Sequence, residues 1–389
     1  MIKIKVITPN NRGFLINLFT YGFKEIEFDY SSESIYETPS NMRSFLSKMI
    51  KMSLFDWLGI FQIYRNQNVN EDMCFSYNRL VDTNKPYVIL LENPSALVNY
   101  CWDRPKHLIA KTRLKRRFND ETLRSIVCMS KECKKNIYNL YDIPERLNIE
   151  QVYPLIPDDY SYGIDDIKKI AYSNTIECLY ISSDFELKGG RDIIRICELI
   201  ENSIPNVRFT AITKMDTIRE EDARKIDSLN NLSIVEFSLN KNELNEIYKR
   251  TSIFVYPTRA DSFSLVTLEA MKYGCVIFAT DIYAIKEMVI NDHNGYLFEP
   301  LYKTWDSDGT LNKYYRTHQK QTFYSGKTND SFITLAVEKL RELCLDREKL
   351  FQMACNSLSL SRNDSFSEKS IVEKWKSIIE KANCDTNKP

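Results

Sequence analysis

The feature that most limits how this chain folds is the rhythm of its second half. Short apolar runs at Ile176–Ser182, Val207–Thr213, Ile234–Phe237, Ile253–Tyr256 and Val276–Ala279 alternate with segments of helical period. Asp192–Glu201, Lys241–Arg250 and Val266–Tyr273 are the intervening helices, and Gly274 closes the last of them. Strands that are apolar throughout are buried on both faces. The pattern therefore predicts a parallel α/β sheet covered by helices.

The first half is less regular. Strands are expected at Ile2–Ile7, Glu25–Phe28, Tyr87–Leu91 and Ser125–Met129, with a helix over Ser40–Leu58. Pro154, Pro157, Asp158 and Asp159 punctuate residues 153–163, which reads as a linker. Residues 303–330 are polar and aromatic without a clear period, as in an inserted loop. Helices return at Ser331–Leu345, Glu348–Leu358 and Ser367–Lys381. The 389 residues suit two or three domains.

Lys+Arg and Asp+Glu number 53 each, so no global field favours nucleic acid. The ten cysteines include no C-x-x-C pair, and there are only three histidines. Buried, reduced thiols are expected, and no metal site. The first residues alternate like a strand and carry charge, unlike an export signal. No uncharged apolar run approaches the ~20 residues that span a bilayer. The expected location is cytoplasmic, at most attached to the cytoplasmic face of a membrane. One dense basic segment, Arg104–Arg117, reads as a solvated helix face or as a patch for an anionic membrane or lipid-diphosphate acceptor.

In an open parallel sheet, ligands bind beyond the carboxyl ends of the strands. Two such ends carry suitable groups. After Ile176–Ser182 comes Ser183-Asp184-Phe185-Glu186-Leu187-Lys188-Gly189-Gly190, where an ammonium and a helix start both favour phosphate. The same loop also reads as an ordinary turn. After Ile253–Tyr256 a polar loop carries Asp261, and Glu269 follows inside an otherwise apolar helix. A carboxylate there needs a partner, because burying it unpaired is costly. Ribose hydroxyls would serve; a surface or capping charge is the alternative.

Residues 245–299 resemble the signature of the retaining GT-B glycosyltransferases of group 1 (family 4). The resemblance rests on Ser252-Ile253-Phe254-Val255-Tyr256-Pro257-Thr258, Asp261-Ser262-Phe263-Ser264-Leu265, Leu268-Glu269-Ala270-Met271, Gly274 with Val276–Asp281, Glu287-Met288-Val289 and Asn294–Phe298. It implies two Rossmann-like, doubly wound domains facing a cleft, with the C-terminal helix packing back on the N-terminal domain. The acceptor domain would comprise residues 1–160 with 362–389, and the nucleotide-sugar domain residues 161–361. The implied activity is retaining transfer of a sugar from a nucleotide-diphosphate sugar to an acceptor hydroxyl, on a surface glycan or lipid-linked saccharide, without a cofactor or metal.

Carried over by position, Lys188 neutralises the diphosphate, Glu269 binds the ribose and Asp261 sits near the donor sugar. Ser183, Gly189, Ser262, Phe263, Ser264 and Leu265 complete the donor site. The chain departs from the family in three places. Asp261 replaces a Glu, Ser262-Phe263-Ser264 replaces Gly-Phe-Gly, and Ser183 stands where an Arg is frequent. Lys214 is a candidate replacement cation. Glu92, after Tyr87–Leu91, either contacts a sugar or caps the next helix. Asp306-Ser307-Asp308 has the form of an Asp-x-Asp metal motif but lies outside that motif's expected context. Two rivals stay open: a non-catalytic subunit that binds nucleotide sugar or a partner, and a nucleotide-sugar epimerase.

Overall fold

The structure is a computed structural model that describes residues 1–8, 12–30, 49–307 and 309–384. Two sequence features lie partly outside these residues: the front of the helix expected over 40–58, and Asp308. The chain forms two compact units. The first comprises Met1–Pro157, Ser307–Thr310 and Glu368–Pro389, and the second Asp158–Asp306 and Leu311–Ser367.

The first unit contains β1 (Ile2–Ile7), β2 (Ile26–Asp29), β3 (Ile63–Arg65), β4 (Met73–Tyr77), β5 (Leu80–Asp82), β6 (Tyr87–Leu91), β7 (Leu123–Cys128) and β8 (Asn148–Gln151). Six of them make a sheet in the order β2-β1-β4-β6-β7-β8, and β3 pairs with β5 separately. All these pairings are parallel. Every residue of β4 and β6 is buried, as strands covered on both faces require. The last helix, Glu368–Cys384, belongs to this unit. Its Trp375 is buried, with its ring 5.6 Å from that of Phe75 on β4.

The second unit contains β9 (Ile176–Ser182), β10 (Val207–Thr213), β11 (Leu232–Glu236), β12 (Ile253–Tyr256), β13 (Val276–Thr280) and β14 (Gly295–Phe298). They form one parallel sheet in the order β11-β10-β9-β12-β13-β14. The chain moves outward one way from β9, then returns to the centre and moves outward the other way from β12. That reversal opens a crevice at the carboxyl ends of β9 and β12, where a doubly wound sheet holds its ligand.

Several elements differ from expectation, among them the unforeseen strands β3, β5 and β8. The stretch read as an inserted loop over 303–330 contains two short helices, Lys313–Thr317 and Gln319–Phe323. Tyr302, Tyr315 and Phe323 cluster with ring centroids 5.6–6.2 Å apart, so an aromatic cluster holds it instead of an amphipathic period. The structure also inserts β4 beside β1, where no strand was expected. All ten cysteines are free thiols. Among the described residues, no helix is long and apolar enough to cross a membrane.

Candidate functional site

The crevice between β9 and β12 is built from two loops in direct contact. Ser182 ends β9, and its hydroxyl turns the chain by accepting from the Asp184 N–H at 2.9 Å. The Asp184 carboxylate then accepts from the Leu187 N–H at 3.0 Å. These bonds aim Lys188 across the crevice. Gly189 follows with φ +81°, a left-handed conformation that glycine adopts without strain. A Cβ there would stand 2.1 Å from the carbonyl oxygen of Pro257, in the loop after β12. Gly189 was expected to line the donor site. Its open side is filled by Pro257, so its smallness joins the two loops. The Arg259 N–H donates to the Leu187 carbonyl at 3.0 Å and completes the join.

Lys188 meets Asp261 at this junction. Its ammonium lies 2.7 Å from Asp261 Oδ2 and donates to the Ala260 carbonyl at 2.6 Å. The Tyr256 hydroxyl donates to the same Oδ2 at 2.7 Å. The other oxygen, Oδ1, accepts from the backbone N–H groups of Ser262, Phe263 and Ser264 at 2.8, 3.1 and 3.0 Å. Burial alone would raise the Asp261 pKa. Lys188 and the hydrogen bonds outweigh it, and the carboxyl is held below its usual range. Burial and the neighbouring carboxylate push the Tyr256 phenol up, so it remains a donor.

This geometry revises one reading of the sequence. Residues 262–264 were expected to help complete the donor site, and here their N–H groups face Asp261. Lys188, Tyr256 and the three N–H groups thus form a cradle for negative charge that already holds the Asp261 carboxylate. The Phe263 side chain is buried in the core, Leu265 is half-buried and Ser183 is exposed. Ser264 has φ +69°, a position suited to the family's glycine, and its hydroxyl lies 2.7 Å from that of Thr267.

Glu269 lies on the helix Leu265–Lys272, one turn beyond its first residue. It is half-buried and makes no contact with the Lys188–Asp261 pair. The buried Tyr248 hydroxyl donates to it at 3.1 Å. Burial raises the Glu269 carboxyl to about 7 from 4.5. The folded state therefore holds this proton more tightly than the unfolded chain. The associated stability is fully present below pH 4.5 and is lost as pH rises to 7. That loss is about 3 kcal/mol. Glu269→Gln keeps a neutral group and is expected to melt higher than the parent at about pH 8 but close to it at about pH 5. Thermal melts at the two pH values test this, and parallel pH profiles for both proteins would count against it.

Several supporting residues carry no local sequence signal. Arg259 makes a buried two-pronged pair with Asp192, at 2.5 and 2.8 Å, though 67 residues separate them. Residues 324–326 reach back to the lysine loop. The Tyr324 hydroxyl donates to Asp184 at 2.7 Å, and the Gly326 N–H to Glu186 at 2.8 Å. The register of β9 with β10 pairs Ser182 with Thr213, which sets Lys214 beside Ser183 at the same sheet edge.

In the first unit, Glu92 follows β6 and accepts from the Tyr77 hydroxyl at 2.6 Å, with Arg12 at 3.3 Å. It does not cap the next helix. Asn93 does, accepting from the Ser95 N–H. The basic segment also divides. Arg104 is fully buried against Asp56, at 2.9 Å, and the Val98 carbonyl, so it takes no part in a surface patch. Lys106, Lys111, Arg113, Lys115 and Arg116 are exposed.

A doubly wound sheet with a cationic loop and a carboxylate-bearing helix at its switch point defines an α/β domain with a ligand site at its strand ends. Residues 165–307, which lie within the second unit but for Ser307, match the family model of glycosyl transferases group 1. The whole chain has the GT-B fold. HepE of Anabaena, solved with UDP, is 14% identical, with 98% of this chain and 100% of that one covered at a TM-score of 0.60. Sucrose-phosphate synthase of Thermosynechococcus elongatus is 10% identical, with 99% and 100% covered at 0.60. TarM is 14% identical at a TM-score of 0.49, and this chain covers 54% of its length. No curated protein matches the chain by sequence.

Proposed function

We propose that this protein transfers a sugar from a nucleotide-diphosphate sugar to an acceptor hydroxyl with retention of configuration. The observation that carries the reading is the meeting of Lys188 and Asp261 at 2.7 Å in the switch-point crevice, one helix start away from Glu269. Glu269 receives the ribose hydroxyls, and Lys188 neutralises the diphosphate. Asp261 exchanges its present contacts for the donor sugar, which frees the N–H groups of residues 262–264. Lys214, level with Ser183, supplies a second positive charge.

In the reaction, the acceptor oxygen bonds to the anomeric carbon as the bond to the phosphate oxygen breaks. The acceptor proton passes to the departing diphosphate on the same face. No protein base is required, so catalysis rests on orientation and on stabilising the charge that develops on the leaving group. The acceptor is a saccharide, free or lipid-linked. The exposed flank carrying Lys111, Lys115 and Leu108, which is 80% exposed, touches an anionic membrane surface.

HepE structures hold UDP and UDP-glucose, which makes uridine ligands the first to try. A panel of nucleoside diphosphates and their sugars is expected to include one that raises the melting temperature, because ligand binds the native state. At about 100 times its dissociation constant the stabilisation is about 2.7 kcal/mol. That shift should be lost in Glu269→Ala. Absence of any shift across the panel would sink the proposal. A second reading, donor binding without turnover, is favoured by the cradle already being filled by Asp261. It predicts a shift but no product when acceptors are supplied.

A further inference from the structure

The first unit holds a second pocket, at the opposite edge of its sheet from the strand ends that normally carry ligands. It measures about 740 Å³ and lies between β3, the end of β5 and the helix Leu108–Phe118. Asp82 lies in the chain just before β6, and Asp120 just before β7, so the pocket sits at the amino-terminal edge. Neither the doubly wound rule nor the proposed reaction places a site there.

Its walls are chemically divided. Arg65, Arg113, Arg116 and Arg117 contribute four guanidinium groups, against two carboxylates from Asp82 and Asp120. Arg117 lies 3.5 and 3.6 Å from these two carboxylates, and Arg65 lies 3.6 Å from Asp82. Arg113 donates only to the Gly59 carbonyl, at 3.3 Å. Arg113 and Arg116 have no carboxylate partner among the described residues, which leaves two net positive charges facing the cavity. At about 100° per residue, Arg113, Arg116 and Arg117 share one flank of the helix, while Lys111 and Lys115 point to the other. The remaining wall is apolar, with half-buried Ile60, Phe61 and Ile63.

The pocket is also preformed. Gly59 has φ +61°, and a Cβ on it would stand 2.5 Å from the Ala110 backbone. The apolar wall is therefore seated directly on the helix that carries the arginines. Planar guanidinium groups match phosphate oxygens two at a time, more selectively than ammonium groups do.

We propose that this pocket binds a small phosphate ester or diphosphate whose organic part is apolar, with the phosphate on Arg113 and Arg116 and the apolar part against Phe61. The site is separate from the donor crevice and does not depend on the reaction proposed above.

The test uses the full chain, and the arginine variants below separate this pocket from the donor crevice, which contains neither residue. Titration calorimetry would compare geranyl diphosphate, inorganic pyrophosphate and vesicles of mixed phosphatidylglycerol and phosphatidylcholine. Geranyl diphosphate should bind saturably, and at least about tenfold more tightly than pyrophosphate, because its hydrocarbon is buried. The double variant Arg113→Gln/Arg116→Gln should weaken it by at least about tenfold. Lys111→Gln/Lys115→Gln on the other flank should leave it unchanged. Both pairs are exposed, so the variants fold. The proposal is overturned if geranyl diphosphate does not bind, if it binds no better than pyrophosphate, if both double variants weaken it equally, or if only vesicles bind.

Discussion

Lys188→Ala is expected to lower sugar transfer by about 100-fold or more while leaving the fold intact. The reason is where the ammonium sits. Among the described residues it is the one cation that directly contacts the cradle at the carboxyl ends of β9 and β12, and the charge it meets is largest as the diphosphate departs. Such an interaction is stronger in the transition state than in the ground state, so kcat should fall more than donor KM rises. The cradle itself should survive. Asp261 keeps the Tyr256 hydroxyl and three backbone N–H donors after the lysine is gone. The check is steady-state kinetics on the purified variant with the donor found by thermal shift, alongside a melt. Turnover within threefold of the parent would remove Lys188 from the mechanism.

The largest stability effect should come from a residue with no direct part in the chemistry. Asp192 is fully buried and holds both prongs of Arg259, itself 2% exposed. It also accepts from the Asn329 N–H at 3.0 Å. Asp192→Ala leaves a buried guanidinium without its counter-charge, at a cost of about 3–5 kcal/mol. Arg259 anchors the loop that presents Asp261, so the loop should loosen together with the domain. Urea unfolding measures the loss. Pairing the substitution with Arg259→Met should recover much of it, since a buried ion pair contributes little beyond an apolar pair of similar volume. A loss below about 1 kcal/mol in the single variant would show that Arg259 finds another partner.

These two residues mark what sequence reasoning reached and what it missed. Lys188 and Asp261 were legible because each lies just past a short apolar run, and strand ends are where parallel sheets bind ligands. The runs at β6, β9, β10 and β12 matched residue for residue, since strands covered on both faces are mostly apolar, and Glu177 and Arg208 interrupt β9 and β10 only near their starts. β4 was not legible. Met73-Cys74-Phe75-Ser76-Tyr77 mixes a polar residue and a thiol, and only its place beside β1 and β6 makes it a strand. The Asp192–Arg259 pair was beyond reach for another reason. Its members are 67 residues apart, and neither lies in a pattern that marks burial. The tyrosines that serve the two carboxylates, Tyr256 for Asp261 and Tyr248 for Glu269, looked like core residues because their rings are core. Only their hydroxyls face the site.

The loop at 261–264 shows how one departure from a family pattern compels another. An aspartate is short enough for its own carboxylate to fold back onto the next three amides, and this fixes the turn without the glycines that relatives use. The serines at 262 and 264 are tolerated because that return contact holds the backbone for them. The three changes therefore act as a set. Lengthening residue 261 to glutamate alone would lose the local clasp while keeping the side chains that now depend on it, so restoring the family residue one position at a time should harm the loop before it helps.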